Sequence, residues 1–204
     1  MTDSMHKRSV DPNRYVFVAL LLVLFGAAVS RSAAQDYVRE IQEVRNLYLA
    51  SAEDASLIDS AFSVLDGMSA EMRKSVMARA YSGALVVMRA KHAFWPGRKL
   101  KHVRRGLRVL DELVLEYPRH AEVRYLRLIS CYYLPGLFKR GASVADDFRV
   151  LSEVVVDLSN VLEPDLYADL IVFLIEKGEL ERTVVDQLYL ELRSNKASVD
   201  AAGG

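Results

Sequence analysis

Apolar residues recur three or four positions apart from Gln35 to Arg193, the spacing that places them on one face of an α-helix. Short breakers interrupt this pattern at Phe94-Trp95-Pro96-Gly97, Pro118, Pro135-Gly136 and Gly178. Glycine and proline are otherwise scarce, and no stretch alternates in the manner of a strand. The pattern predicts an all-α fold, an antiparallel array of helices without strands.

The sequence predicts eight helices, and the first three described here have clear apolar stripes. Ser69 is placed to cap a helix that runs to about Ala93, and Gly83 in its apolar stripe permits close contact with a neighbour. A second helix follows Gly97 and ends at Pro118. A third, from about 121 to 134, is expected to bury Val123, Leu126, Ile129 and Tyr133. Further helices are predicted near residues 36–50, 52–66, 145–161, 165–177 and 179–193.

The stretch from Gly106 to Pro118, followed by Ala121-Glu122-Val123-Arg124-Tyr125-Leu126, resembles the second helix of a tetratricopeptide repeat and the first helix of the next repeat. Counting back from Pro118 places Gly106 at the small-residue position, whereas Leu113 departs from the pattern by being large. Gly83 would be the small residue of the preceding helix. Its separation from Gly106 exceeds the usual repeat, which predicts an enlarged loop over residues 94–102. The resemblance implies stacked helix pairs that display an extended binding surface.

A wider block, from Tyr81 to Phe138, contains the strings AKHAFWP, GLRVLDE and EVRYLRL. It is similar to a little-characterised family of exported bacterial helical proteins. This resemblance implies a helical fold and a bacterial origin, and it carries no activity.

The amino-terminal 34 residues are typical of an export signal. Basic residues precede an uninterrupted apolar run from Tyr15 to Val29, and Ser32 and Ala34 place small side chains where a signal peptidase requires them. We expect cleavage after Ala34 or retention of the run as a membrane anchor. A helix of this length would reach about 22 Å, less than the roughly 30 Å hydrocarbon core, which favours cleavage. Both alternatives place the remaining chain outside the cytoplasm, in the periplasm or cell envelope.

Composition fits one folded domain over residues 35–194, with a disordered tail over 195–204. Hydrophobic residues make up 51% of the 204 residues and charged residues 26%, which is typical of a globular protein. The formal net charge is zero, which argues against a dedicated nucleic-acid-binding protein. Cys131 is the only cysteine, so an intrachain disulfide and a multi-thiolate zinc site are excluded.

Charge is distributed unevenly along the chain. Eight basic residues occur between positions 89 and 108 with no acidic residue among them, and Phe94 and Trp95 lie at the turn within this segment. The segment comprises Arg89, Lys91, Arg98, Lys99, Lys101, Arg104, Arg105 and Arg108. It could bind an anionic lipid surface or an acidic polymer. Alternatively, the acidic segment from Asp146 to Asp186 covers it, within one chain or between two copies.

A second candidate site is aromatic. Tyr125, Tyr132, Tyr133, Leu137 and Phe138 cluster around the Pro135-Gly136 turn, where they could line a groove for a peptide or apolar ligand. The competing interpretation assigns them to the core.

Catalytic and metal-binding patterns are weak. His92, His102 and His120 do not lie four residues apart, the spacing of a helical metal site, and Cys131 lies within a predicted helix as a small buried residue. No catalytic triad order and no glycine-rich phosphate loop occurs. We therefore expect no catalytic site, no metal and no cofactor.

Two functional hypotheses follow. The first is a non-enzymatic protein-interaction module or scaffold outside the cytoplasm, with an unidentified protein partner and scope for self-association. The second assigns residues 89–108 to anionic lipid or acidic polymer at the membrane surface. Both exclude nucleic acid as a partner.

Overall fold

A computed structural model describes residues 35–202, and every regular element in this range is a helix. The all-α prediction is confirmed, whereas the predicted signal or anchor over residues 1–34 lies outside the described residues. The helices are α1 (35–50), α2 (Ser56–Gly67), α3 (Ala70–Arg73), α4 (Val76–His92), α5 (Pro96–Glu116), α6 (Ala121–Tyr132), α7 (Gly141–Val154), α8 (Pro164–Lys177) and α9 (Arg182–Ala202). Two short 3-10 helices cover Gly136–Phe138 and Val155–Leu158.

A break separates α3 from α4, so the single helix predicted from Ser69 to Ala93 is wrong. The Ser69 hydroxyl accepts a hydrogen bond from the Met72 amide, and the Ser75 hydroxyl accepts one from the Ala78 amide. Ser75 has an extended backbone, with φ −61° and ψ 156°. Two N-caps six residues apart therefore start two helices in succession.

Helix α5 begins earlier than the sequence predicts. Pro96 occupies its first turn, where a missing N–H costs nothing because the first amides of a helix have no partner within it. The enlarged loop expected over residues 94–102 is therefore wrong, since residues 96–102 form the first two turns of α5. As a result, the basic residues from Arg98 to Arg108 lie on one continuous helix.

Helices α4 and α5 pack antiparallel and very close together. Arg79, near the start of α4, donates two hydrogen bonds of 2.8 and 3.0 Å to Glu116 at the end of α5. Further along, a Cβ atom on Gly106 would lie 2.4 Å from the Gly83 carbonyl oxygen and 2.6 Å from a methyl carbon of Val87. The close contact predicted at Gly83 is confirmed.

The other helices extend this arrangement. Arg119, just before α6, donates to Glu153 late in α7, and Arg124 donates to Asp147 earlier in α7, so these two helices are antiparallel. Helix α1 instead runs parallel to α4, because Tyr37 donates to Ser75 and Arg45 donates to Tyr81. The core lies between these helices, with α6 at its centre.

Helix α6 is buried without interruption from Ala121 to Leu128. Val123 and Leu126 are buried as predicted, and Ile129 is half-buried. The predicted burial of Tyr133 is wrong: its side chain is 77% exposed, because α6 ends at Tyr132 and the next residue leaves the helical stripe.

The last helix, α9, continues past Asn195 to Ala202, into the segment for which a disordered tail is expected. None of the helices in the described range has the length and apolar content that crossing a bilayer requires.

Candidate binding surface on helix α5

Six exposed cationic side chains lie along α5, and together we call them the basic face. Arg104 and Arg105 lie three and four residues after Lys101, and Arg108 lies four and three residues after them, so these four share one side of the helix. Arg98 borders this side in the first turn of α5, whereas Lys99 lies on the opposite side, in register with the buried Val103 and Gly106. All six are exposed. The basic face comprises Arg98, Lys99, Lys101, Arg104, Arg105 and Arg108.

No carboxylate within residues 35–195 forms an ion pair with any of these six residues. The acidic carboxylates expected to cover them have other partners. Asp146 pairs with Arg124 and Arg149, while Glu153 pairs with Arg119 and Arg149. In the described part of the chain, the basic face is therefore open to solvent.

Arg89 and Lys91 differ from the other six basic residues because they tie α4 to the preceding helices. Arg89 donates to Asp59 at 2.7 Å, and its guanidinium carbon lies 4.3 Å from the ring centroid of Phe62. Lys91 donates to the Ala52 carbonyl at 2.6 Å. These contacts account for both side chains within the fold.

An aromatic pair adjoins the basic face at its amino-terminal end. Phe94 is 84% exposed and Trp95 62% exposed, and their rings meet edge to face with centroids 5.3 Å apart. Two large aromatic rings in water, directly before a cationic helix, are unusual on a free surface. They fit a contact with an apolar or interfacial partner.

The pKa of His102 responds to the positive charges around it. Partial burial lowers the pKa of the His102 imidazole, and the nearby cations Arg89 and Lys101 lower it further. Both effects disfavour a positive charge on the His102 ring. The ring is therefore neutral at pH 7, and it adds no charge to the basic face.

An open groove runs along α5 beside the basic face. It has a volume of about 370 Å³ and lies between α5 and the 3-10 helix Gly136–Phe138. Leu107 and Phe138 line its apolar part, and Arg104 and Arg108 line its edge. Leu137 is 71% exposed at the same place. Part of the basic face and part of the predicted aromatic groove therefore lie side by side.

The four aromatic residues of the predicted groove do not line one surface. Tyr125 is buried in the core, where burial raises the pKa of its hydroxyl to about 12. Tyr132 packs against Phe173 with ring centroids 4.8 Å apart, and Tyr133 is exposed beside it. Of the four, only Phe138 lines the groove described above.

Two buried charge networks were not predicted. In the first, Arg45 of α1 donates to both carboxylate oxygens of Glu122 at 2.8 and 3.1 Å, and the Tyr81 hydroxyl donates to the same carboxylate. Burial, followed by the Glu122 charge, raises the pKa of the Tyr81 hydroxyl well above its ordinary value. The signal available in the sequence was the position of Glu122, three and four residues before the core residues Tyr125 and Leu126.

The second network surrounds Asp147, which has no exposed surface. Arg124 donates to its carboxylate at 2.8 Å, and Arg127 donates to both of its oxygens at 2.7 Å. Buried charges need such partners, because an unpaired one would cost several kcal/mol. These residues join α6 to α7 and lie away from solvent, so we assign them to the fold.

The histidine and cysteine residues are dispersed. The His92 ring lies 2.8 Å from the Ser51 carbonyl oxygen, and His120 precedes α6. Cys131 is buried, and burial raises the pKa of its thiol, which favours the unreactive protonated form. Among the described side chains of residues 35–195, no three His, Cys, Asp or Glu residues are placed to hold a metal ion.

Comparison with protein-family models, curated proteins and solved structures found no match for this chain. Neither an activity nor a partner is transferred from another protein. Function is therefore inferred from the basic face and its surroundings.

Proposed function

We propose that this protein is a non-enzymatic interaction module or scaffold that acts outside the cytoplasm and binds a protein partner through the basic face of α5. One observation carries the proposal: six exposed cations on one helix lack any carboxylate partner within the described residues. A single-sign surface of this kind attracts an oppositely charged partner and orients it during encounter.

The packing supports a tetratricopeptide-type arrangement of helix pairs. Helices α4 and α5 are antiparallel with Gly83 against Gly106, and α6 and α7 are antiparallel beside them. Helix α1 runs parallel to α4, as the first helices of successive pairs do in a stacked array. Such arrays present extended surfaces that bind other molecules.

A protein partner fits both the charge and the apolar contacts on offer. The groove beside the basic face places Leu107 and Phe138 next to Arg104 and Arg108. Interfaces are enriched in arginine and aromatic residues, and an apolar anchor surrounded by charge gives both affinity and register. The expected partner surface is therefore acidic and carries at least one apolar side chain.

Export is the second part of the proposal, and it rests on the leader in residues 1–34. The mass of the protein recovered from cells tests it directly. A chain that begins at Gln35 would establish cleavage after Ala34, and a full-length chain in the membrane fraction would establish the anchor. Recovery of the full chain in the cytoplasmic fraction would contradict both.

Partner capture from the envelope fraction tests the interaction. The wild type and R104E/R105E serve as baits, and K74E/R193E serves as the control because it makes the same change in net charge at two exposed residues outside the basic face. We expect the wild type and the control to recover the same protein, and R104E/R105E to lose it. Equal recovery by all three baits, or recovery of nothing, would refute the proposal.

Anionic lipid is the second candidate partner, and the exposed pair Phe94 and Trp95 favours it. Aromatic rings settle at the level of the lipid headgroups, and each cation near an anionic surface contributes about 1 kcal/mol. Trp95 is the only tryptophan in the chain, so its fluorescence reports this contact directly. With phosphatidylglycerol vesicles, a blue shift that R104E/R105E abolishes would support lipid binding. An unchanged spectrum would eliminate it.

A further inference from the structure

Helix α8 exposes an acidic stripe whose spacing resembles that of the basic face. Asp165, Asp169, Val172 and Glu176 follow one another at intervals of four, three and four residues, so they share one side of the helix. All four are exposed. We call Asp165, Asp169 and Glu176 the acidic stripe.

The acidic stripe is as poorly neutralised as the basic face. Among the side chains that the structure describes, those of residues 35–195 and 197, no cation pairs with Asp165 or Asp169, and Glu176 has only its neighbour Lys177, at 3.7 Å. Val172 adds an apolar patch between Asp169 and Glu176. The surface therefore offers two unpaired carboxylates, a third weakly paired one and an apolar side chain.

The basic face and the acidic stripe do not meet within the described chain. Helix α5 packs against α4 and α6, whereas α8 packs against α9 and α7. No ion pair joins α5 to α8 in the range 35–202. Opposite charges on separate elements of a chain with zero net charge can be neutralised by a second copy.

We propose that the basic face of α5 docks on the acidic stripe of α8 in a second copy of this chain. The proposal rests on the proposed function and names the partner. The two surfaces match in length, because Arg98 to Arg108 covers about 15 Å of helix and Asp165 to Glu176 about 16 Å at 1.5 Å per residue. Three carboxylates thus face a row of cations of equal length.

The contact joins different surfaces of the two copies. A twofold dimer would contain it twice within one isologous interface, whereas a single contact repeated from copy to copy would be heterologous and would generate a ring or a filament. In each of these assemblies, every contact pairs the basic face of one copy with the acidic stripe of another. Reversing one surface therefore removes every contact between identical copies.

Charge reversal in both surfaces provides the test. Full-length copies with two different affinity tags are co-expressed, and capture of one tag is scored by the amount of the other in nonionic detergent. R104E/R105E reverses the basic face, D169K/E176K reverses the acidic stripe, and a quadruple variant carries both changes. K74E/R193E again serves as the control, and far-UV circular dichroism verifies that each variant is helical.

We expect wild type and control to co-capture at low salt and to lose the contact in about 1 M NaCl, where the Debye length is about 3 Å. R104E/R105E and D169K/E176K alone should each lose about tenfold or more of the captured partner. Mixing these two variants should restore capture, since each reversed surface then faces its complement. The quadruple variant should restore it in a single chain.

Absence of wild-type co-capture at low salt would overturn the proposal, as would failure of both the mixture and the quadruple variant to recover it. These outcomes leave the proposed function separately testable. If co-capture of the two tagged copies fails but a different protein is captured from the envelope through the basic face, the proposed function is supported. In that case only the proposed self-association is refuted.

Discussion

Replacing Gly106 by alanine tests the packing on which the fold depends. The added Cβ atom would lie 2.4 Å from the Gly83 carbonyl oxygen and 2.8 Å from the Val87 amide nitrogen, whereas ordinary van der Waals contact begins at 3.4 Å. Both obstacles are backbone atoms, so no side-chain rotation can relieve them. Helices α4 and α5 would have to separate by about 1 Å.

The cost can be estimated from two opposing effects. Overpacking a tight contact costs up to about 3 kcal/mol, and replacing glycine by alanine within a helix returns about 1 kcal/mol. The net loss for Gly106→Ala is therefore about 2 kcal/mol. In a domain of this size, that corresponds to a decrease in Tm of about 4–8 °C.

Gly97→Ala is the matched control, because Gly97 lies on the same helix and a Cβ there would meet nothing within 4 Å. Thermal and urea unfolding of both variants, followed by circular dichroism, gives the comparison. We expect Gly97→Ala to be neutral or slightly stabilising. If Gly106→Ala proves as stable as Gly97→Ala, the close antiparallel contact between α4 and α5 is incorrect.

Three further results are expected. Asp147→Asn should lower the free energy of unfolding by about 3 kcal/mol, because Arg124 and Arg127 lose their fully buried carboxylate partner, whereas Glu153→Gln on the surface should cost much less. Equal losses in urea unfolding would contradict this. His102 should titrate below its ordinary pKa of 6.5 by NMR, and Arg105→Glu should raise that pKa. Because unfolded His102 binds a proton at higher pH than native His102, its contribution to stability should diminish as the pH falls below about 6.5. Tyr81→Phe removes a hydrogen bond to a buried carboxylate and should cost about 1–3 kcal/mol in urea unfolding, and wild-type stability would refute that role.

The helices were largely predictable because a buried stripe leaves a three- and four-residue period in the sequence. Breaks were harder. Serine occurs both at N-caps and within helices, so nothing in the pattern distinguished Ser75, which starts α4, from a helical serine. Pro96 is equally compatible with a loop and with the first turn of a helix, where it lies in α5, so the sequence alone does not fix where α5 begins.

The excess of basic residues in this segment was predictable from the sequence, but the absence of carboxylate partners among the described side chains was not. Whether a carboxylate meets Arg104 depends on tertiary packing, and that packing directs Asp146 and Glu153 to other arginines. The groove between α5 and the 3-10 helix likewise joins residues about thirty positions apart. The buried charges of α6 escaped prediction because charged residues are ordinarily assigned to the solvent side of a helix.

The link from Arg45 to Glu122 limits how far this fold can behave as a modular stack. In a linear repeat protein each unit contacts only its neighbours, so terminal units can fray or be deleted independently. Among the side chains that the structure describes, Arg45 in the first helix forms an ion pair only with Glu122 in the sixth, and Tyr81 in the fourth contacts both. Loss of the first or the sixth helix therefore leaves a buried charge without its partner. The assembly should therefore melt cooperatively, and shortened versions that keep only its first two helix pairs should not fold.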